Sequence, residues 1–165
     1  MRNLFLFFII LVLTTCGKKD DPYLDEGNYK PILMHRKDLD KSIKLEHPRD
    51  IQHTGKIYFR DPYILLSEQG EGVHIIDNSD PANPENLAFI RVQGCTDIAM
   101  KGNVIYAEHL TDLVAIQFTS INSISVTGRV EELFPELNSP DGYIPNMYQK
   151  SKRPGHTVIV AWEKR

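Results

Sequence analysis

The 165-residue chain has little cysteine, little tryptophan and no excess of positive charge. It contains two cysteines and one tryptophan, and its 22 acidic residues outnumber its 19 lysines and arginines. Because no basic field is available to neutralise phosphate backbones, nucleic acid is not an expected partner. The longest apolar run, Leu4 to Leu13, has ten residues. A membrane-spanning helix needs roughly 20, so we expect no transmembrane anchor.

Motifs for hydrolysis, thiol redox chemistry and phosphate binding are also missing. The sequence has no Gly-x-Ser-x-Gly elbow, no His-Glu-x-x-His pair, no Cys-x-x-Cys and no glycine-rich phosphate loop. The six histidines are His35, His47, His53, His74, His109 and His156. None has metal-ligand spacing with another, and these patterns predict no catalytic, cofactor-binding or metal-binding residue.

What the chain does have is an N-terminal export signal. Arg2 supplies a positive charge, the apolar run follows, and Thr14-Thr15-Cys16 comes directly after it. This order is typical of a secretory signal. The segment resembles a bacterial lipoprotein signal, in which the peptide is cut before the cysteine and the thiol receives lipid such as palmitate. The resemblance implies a signal peptide over residues 1–15 and lipid on Cys16. The alternative is an ordinary secreted protein whose Cys16 lies near the cut by chance.

Residues 16–30 are polar, charged and poor in large apolar groups, which is the composition of a solvated tether. Within them, the run Lys19, Asp20, Asp21 resembles the short charged signal that sends some Bacteroidetes lipoproteins to the outer face of the outer membrane. A plain spacer is the alternative. The predicted location is therefore the outer membrane, on its cell-surface or its periplasmic face.

Beyond the tether, the pattern predicts one short helix and then strands. Apolar residues at 34, 39 and 43 favour a helix over 34–43, within a helical lead-in at residues 31–50. From residue 51, short β-rich runs alternate with turn residues, as in all-β proteins. The predicted strands are 56–60, 63–68, 72–77, 87–92, 97–101, 104–108, 112–118, 124–131 and 157–162.

The strand region repeats itself at a constant offset of 40 residues. The matched pairs are Ile64 and Val104, Leu65 and Ile105, Leu66 and Tyr106, Glu68 and Glu108, Val73 and Leu113, and Ile76 and Ile116. A period near 40 with four short strands per unit is typical of a propeller blade or a related β-array. The predicted fold is therefore all-β, with a partial β-propeller-like array of about two to three four-stranded blades over residues 51–165.

Two segments of this region resemble LVIVD repeats. Residues 72–84 (GVHIIDNSDPANP) combine an apolar strand, Asp77 and a Ser-Asp-Pro turn, and residues 112–117 (DLVAIQ) form a second copy with Gln117 in place of the closing aspartate. Members of this family are bacterial and archaeal cell-surface proteins with β-propeller-like folds, and many Bacteroidetes members are lipoproteins of no established activity. The resemblance covers about residues 31–165.

Two repeats and a fraction are too few to close a ring. Each repeat buries its apolar faces mainly against its neighbours, so roughly three or more are needed for a stable array. We favour a truncated gene product, because residues 163–165 (EKR) give no sign of a cap. The alternative is a partner chain that covers the open strand edges.

Two polar features of the first repeat have competing interpretations. His74 alternates with apolar Val73 and Ile75, so we expect it to face solvent or a seam between blades, with a metal-ligand role as the alternative. The oxygens of residues 77–80 (DNSD) invite a calcium site, but the glycine and distant glutamate of an EF-hand loop are missing. Side chains that hydrogen-bond their own turn explain the same residues.

Cys95 and a group of aromatic residues complete the candidates. With Cys16 lipidated, Cys95 has no partner inside the chain and is predicted to be a buried, inert thiol; a nucleophile is the alternative. Tyr143, Tyr148 and Trp162 are expected to pack in a seam between blades, with a ligand platform as the alternative.

The function predicted from these features is that of a membrane-anchored envelope lipoprotein whose β-repeat domain binds or scaffolds without catalysis. Its expected partners are the lipid bilayer, through acylated Cys16, and a protein on the open strand edges; no cofactor is expected. One alternative is a truncated envelope enzyme with an active site in a propeller funnel, and another is a nonfunctional remnant.

Overall fold

The computed structural model describes residues 26–165. The predicted signal peptide, Cys16 and the run Lys19, Asp20, Asp21 therefore lie outside the described residues. Strands account for 51% of the structure and helices for 6%, which confirms the predicted all-β class. Among residues 26–165, no helix is long and apolar enough to cross a membrane.

The elements follow one another with short connections until residue 130. The strands are β1 (Tyr29–His35), β2 (Lys44–Glu46), β3 (Thr54–Arg60), β4 (Tyr63–Glu68), β5 (Gly72–Asp77), β6 (Glu85–Arg91), β7 (Ile98–Lys101), β8 (Val104–His109), β9 (Asp112–Ser120), β10 (Ser123–Val130) and β11 (Thr157–Lys164). A helix of one turn, α1 (Arg36–Leu39), and 3-10 turns at Asp40–Ser42 and Asn146–Tyr148 complete the described part. Each strand predicted after residue 51 is present, with its ends within two residues of the predicted bounds.

The strands form three antiparallel sheets. Their orders are β2-β6-β5-β4-β3, β10-β9-β8-β7 and β1-β11. The first two sheets pack face to face, with β3 near β7 and β2 near β10. Alternate residues of each sheet fill the core between them: Leu65, Val73, Ile75 and Ile90 from one side, and Ile105, Val114, Ile116 and Phe118 from the other, all with no exposed surface. Burial of such a side chain contributes about 1.5–3 kcal/mol, so this apolar layer is the main source of stability.

The N-terminal part differs from the predicted helix. Met34 and His35 belong to β1, where they pair with Val158 and Thr157 of β11, and the α-helix starts only at Arg36. Pairing with a strand more than 120 residues away in sequence outweighs the local helical pattern, because tertiary contacts routinely override weak propensity. β1 also begins at Tyr29, inside the segment predicted as tether.

The two ends of the described chain lie together. Tyr29 pairs with Lys164, and the Arg165 amide donates a hydrogen bond to the carbonyl of Asn28 at 3.0 Å. Below this ribbon, Leu39 packs with Leu110, Val158 and Val160 in a second, smaller apolar cluster. The last residues of the chain are thus paired with the first described strand.

The repeat keeps its 40-residue offset in one strand and loses it in the next. Leu65 pairs with Ile75 in the first hairpin, and Ile105 pairs with Ile116 in the second. Ile116 is therefore equivalent to Ile75, and the predicted matches of Ile116 with Ile76 and of Leu113 with Val73 are each wrong by one residue. The cause is one extra residue in the second hairpin: three residues separate Glu68 from its partner Gly72, whereas four separate the equivalent Glu108 from its partner Leu113. Two of those four, His109 and Asp112, form an additional pair.

Candidate functional site

The tighter second hairpin turn brings two polar side chains into the interior. Leu110 adopts a left-handed φ of 58°, so that His109 and Asp112 pair directly across the turn. Both residues have no exposed surface. His109 lies on the core-facing side of β8, and Asp112 lies on the core-facing side of β9. The first repeat has no charged pair at the corresponding end of its hairpin.

Asp112 is the centre of a network that we call the Asp112 cluster, formed with Arg36, Arg129, Thr111 and His109. Nη1 of Arg36 lies 3.0 Å and 2.8 Å from the two carboxylate oxygens, and Nη1 of Arg129 lies 2.6 Å from Oδ2. Oδ1 also accepts hydrogen bonds from Thr111 Oγ1 at 2.9 Å and from the Glu132 amide at 3.0 Å. A carboxylate accepts about four hydrogen bonds, so these donors saturate it.

The donors of this cluster keep Asp112 ionised. Burial by itself raises the pKa of this carboxyl, but the hydrogen bonds from the Glu132 amide, the two arginines and Thr111 outweigh that effect. Together they lower the pKa of Asp112 from 3.8 to about 2. A saturated, ionised carboxylate of this kind cross-links segments, and it has no oxygen left for proton transfer.

Arg129 also fixes the orientation of the neighbouring histidine. Its Nη2 donates to Nδ1 of His109 at 3.1 Å, so the ring proton is assigned to Nε2, which then donates to Ser42 Oγ at 3.0 Å. Ser42 in turn donates to the carbonyl of Leu39 at 2.6 Å. The cluster thus ties the short helical segment to the end of the second sheet.

A small cleft opens beside Arg36. It has a volume of about 250 Å³, and Thr111, Glu132, Phe134 and Lys150 are among the residues that line it. Lys150 is paired with Glu132 across this cleft. The charges on its wall are therefore largely neutralised by one another.

A second polar centre lies on the face of the first sheet that points away from the core between the sheets. We call it the Glu68 cluster, and it consists of Glu68, His74, Asn86 and the segment 49–53. His74 has no exposed surface and Glu68 has 3%. Nε2 of His74 lies 3.1 Å from Glu68 Oε2, and the same carboxylate accepts the backbone amides of Gln52 and His53. Burial by itself raises the pKa of Glu68, but the two backbone hydrogen bonds and the bond from His74 lower it overall.

The segment above this cluster covers the outer face of the sheet. The guanidinium of Arg49 lies 3.8 Å from the centre of the Phe89 ring. The backbone carbonyl of Arg49 accepts a hydrogen bond from Nδ2 of Asn86 at 2.9 Å. His74 packs edge-on against Phe89, with ring centres 4.8 Å apart. Solvent exposure, one of the two positions predicted for His74, is therefore wrong, because the segment 49–53 lies over this face.

A cleft with a volume of about 490 Å³ borders the Glu68 cluster. Its wall is polar, with Asp50, Glu68 and Glu71 as carboxylates. Arg49 neutralises Glu71 at 3.0 Å. In the part of the chain that the structure covers, no group of three or more His, Cys, Asp or Glu side chains could hold a metal ion.

The turn at residues 77–80 has the geometry expected of self-bonding side chains. Asp77 Oδ1 accepts the Ser79 amide at 2.8 Å and the Ser79 hydroxyl at 2.6 Å. Asp80 accepts the Ala82 amide at 3.0 Å and the Asn83 side chain at 2.8 Å. These bonds lower the pKa of both aspartates.

Cys95 is buried in the core between the two sheets. Burial, together with the nearby charges of Glu108 and Asp97, raises the pKa of its thiol to about 12. The thiolate is the reactive form, so both burial and the raised pKa disfavour reaction of this cysteine at neutral pH.

The structure brings two of the three predicted aromatic residues into contact. The rings of Tyr148 and Trp162 meet edge-on, with centres 6.1 Å apart, and Trp162 Nε1 donates to the carbonyl of Leu137 at 2.9 Å. Tyr143 lies beside Gly27, since a Cβ added there would be 3.7 Å from its hydroxyl. All three therefore lie at the end of the molecule where the described chain starts.

Comparison with protein-family models, with curated proteins and with solved structures found no match to this chain. The resemblance to LVIVD repeats therefore remains a prediction based on residues 72–84 and 112–117. The two buried clusters were missed at the sequence level. Arg36 lies 76 residues before Asp112, and no local motif signals such a contact.

Proposed function

We propose that this chain is an outer-membrane lipoprotein whose β-repeat domain binds or scaffolds at the cell envelope without catalysis. The feature that carries the proposal is the ten-residue apolar run followed by Thr14, Thr15 and Cys16. Lipid on that cysteine would hold the domain at the membrane. Because one acyl chain gives only marginal membrane binding, stable retention needs the multiple chains that lipoprotein processing adds.

The two buried clusters support a non-catalytic role. A general base must reach the proton that it removes, at about 2.6–3.2 Å. The oxygens of Asp112 are occupied by arginine, threonine and backbone donors, and those of Glu68 by two backbone amides and His74. Each carboxylate holds distant segments together, which is a structural task.

The strand order supports a propeller-like array of LVIVD-type units. Strands β3 to β6 and strands β7 to β10 each form four consecutive antiparallel neighbours, and β3 of the first unit lies beside β7 of the second. The ribbon of β1 and β11 would be part of a third unit. In such an array, the outer faces and edges of the terminal units are where a partner binds.

Strand β3 is the best position for a protein partner. It is an edge strand, and it exposes Ile57 by 67% and Phe59 by 63%. Natural edge strands are usually short, charged or covered. Two large apolar side chains beside unpaired backbone groups therefore favour a partner that adds a strand or lies on this face.

Membrane fractionation of the full chain tests the proposal. The unmodified protein should remain with the outer membrane after a high-salt wash, and Cys16→Ala should move it to the soluble fraction. Cys95→Ala is the matched control, because that thiol is buried and its loss should leave retention unchanged. Retention of Cys16→Ala at the unmodified level would refute the lipid anchor.

A further inference from the structure

Tyr143, Tyr148 and Trp162 lie together at the end of the molecule where the described chain starts. Tyr143 is 40% exposed and Leu137 is 46% exposed, while Tyr148 and Trp162 are half-buried beside them. Tyrosine and tryptophan combine an apolar ring with a polar group, and they concentrate where membranes meet water. We call Leu137, Tyr143, Tyr148 and Trp162 the aromatic face.

The tether leaves the domain at this face. Glu26 and Gly27 are the first described residues, and a Cβ added to Gly27 would lie 2.9 Å from Pro145 and 3.7 Å from the hydroxyl of Tyr143. Asn28 is fixed there by two hydrogen bonds to Asp141, from its amide at 3.0 Å and from Nδ2 at 3.1 Å. The described chain therefore enters the domain beside Tyr143 of the aromatic face.

The tether is short enough to keep this face near the bilayer. Nine residues lie between Cys16 and Glu26. A random coil of that length has a root-mean-square span of about 17 Å, and full extension limits the span to about 35 Å. At such distances a tethered surface has an effective concentration of about a millimolar. A weak intrinsic affinity for the membrane is therefore enough to dock it.

The charges around the aromatic face suit a headgroup layer. Three cations lie there: Lys152, which donates to the side chain of Asn146, Lys164, which lies on the same side of the ribbon as Trp162, and Arg165. Two carboxylates accompany them: Glu26, which pairs with Arg165, and Asp141, which accepts hydrogen bonds from Asn28. The guanidinium of Arg165 lies 5.9 Å from the centre of the Tyr148 ring. This mixed surface, positive by one charge, fits phosphate and amine headgroups, with the aromatic rings as the apolar contribution.

We infer that the aromatic face rests on the headgroup layer of the bilayer that holds the lipid anchor, an inference that depends on lipid at Cys16 as proposed above. The domain then has a fixed orientation, with Trp162 toward the membrane. Strand β3 belongs to a different sheet, and its tyrosine, Tyr58, packs against the core between the sheets. Its exposed Ile57 and Phe59 are assigned to a protein partner and not to lipid.

Trp162 is the only tryptophan of the chain, so its fluorescence reports the contact directly. The probe is a vesicle of phosphatidylethanolamine and phosphatidylglycerol, prepared with and without bromine on the acyl chains, into which the full-length lipidated protein is reconstituted. Bromine quenches tryptophan only at short range. An interfacial Trp162 should lose about half of its emission in the brominated vesicles.

Two variants make the result specific. In the double variant Trp162→Phe, Phe59→Trp, the only tryptophan lies on β3, and its emission should be the same in both vesicles. In the double variant Leu137→Ser, Tyr143→Ser, which alters exposed side chains only, quenching of Trp162 should fall while the protein still floats with the vesicles.

The outcomes separate the docked face from the anchor. Equal quenching at positions 162 and 59, or no quenching of Trp162 in protein that floats, would overturn the docked orientation and leave the anchor intact. Protein that fails to float with vesicles at all would overturn both proposals.

Discussion

Replacing Asp112 with asparagine should destabilise the protein more than any single surface change. The substitution keeps the shape of the side chain and removes its charge. Arg36 and Arg129, whose guanidinium groups lie 2.8 Å and 2.6 Å from Oδ2, then lose their common counter-ion. The NH₂ group of the new amide also replaces one carboxylate oxygen, so it faces N–H or O–H donors that previously bonded to that oxygen.

The expected magnitude follows from the burial of the cluster. The Asp112 side chain is fully buried, and those of Arg36 and Arg129 are 19% and 13% exposed. Removal of one partner from a buried charge pair costs about 3–5 kcal/mol. A domain of this size has a free energy of unfolding of about 5–15 kcal/mol, so Asp112→Asn should remove a large share of it.

Acid should erase part of that difference. The pKa of Asp112 is about 2 in the folded protein, against 3.8 for the free side chain. As the pH falls, the unfolded chain therefore binds the proton first. The carboxylate's stabilisation is complete above about pH 5 and is lost as the pH falls toward 2. Since one pKa unit is worth about 1.4 kcal/mol, the gap between the unmodified protein and the variant should shrink by about 2 kcal/mol over this range.

Urea unfolding at several pH values measures both effects. The matched control is Glu163→Gln, which makes the same carboxylate-to-amide change in an exposed pair with Lys30 and should cost less than about 1 kcal/mol. If Asp112→Asn costs no more than this control at pH 7, the cluster does not stabilise the fold as argued. A gap that stays constant down to pH 2 would contradict the lowered pKa.

Three further predictions concern other buried groups. Glu68→Gln should speed hydrogen exchange of the backbone amides in residues 49–53 about tenfold. Because the pKa of Glu68 is lowered from 4.5, the unmodified protein should lose the same protection only at pH below that value. Unchanged exchange in the variant would contradict the role of Glu68 in holding this segment. In the variant without the lipid-site cysteine, Cys95 should react with iodoacetamide at pH 8 less than about a tenth as fast as in urea, and equal rates would refute its burial. Gly72→Ala places a Cβ 2.1 Å from the carbonyl oxygen of Ile90 and should lower the free energy of unfolding by about 3 kcal/mol. The control Gly155→Ala, which has open space around it, should change that free energy by no more than about 0.5 kcal/mol. Equal unfolding midpoints for the two variants would refute the close packing at Gly72.

The strands could be predicted because their signal is local. Each strand is marked by alternation of apolar and polar residues and is bounded by turn signals such as Asp61-Pro62 and residues 78–81. The whole signal therefore lies in the strand and in the turns next to it. The side chains of Leu65 and Ile105 could be assigned to the core for the same reason. Face assignment in such strands depends on the neighbouring residues alone.

The features that could not be predicted depend on contacts between distant segments. Arg36 reaches Asp112 only because β1 pairs with β11 and aligns α1 with the end of the second sheet. His74 is buried because the segment 49–53 crosses a face that alternation alone would leave open. The equivalence of Ile116 with Ile75 depends on one extra residue in the second hairpin, which a constant sequence offset cannot show.

The mass of the mature N-terminus tests the central claim most directly. Protein purified from the envelope should begin at Cys16, and its first peptide should carry the added mass of acyl chains on that residue. The same peptide from Cys16→Ala should lack the added mass. A mature chain that retains residues 1–15, or that begins at Cys16 without lipid, would contradict the account of a membrane-anchored β-repeat domain.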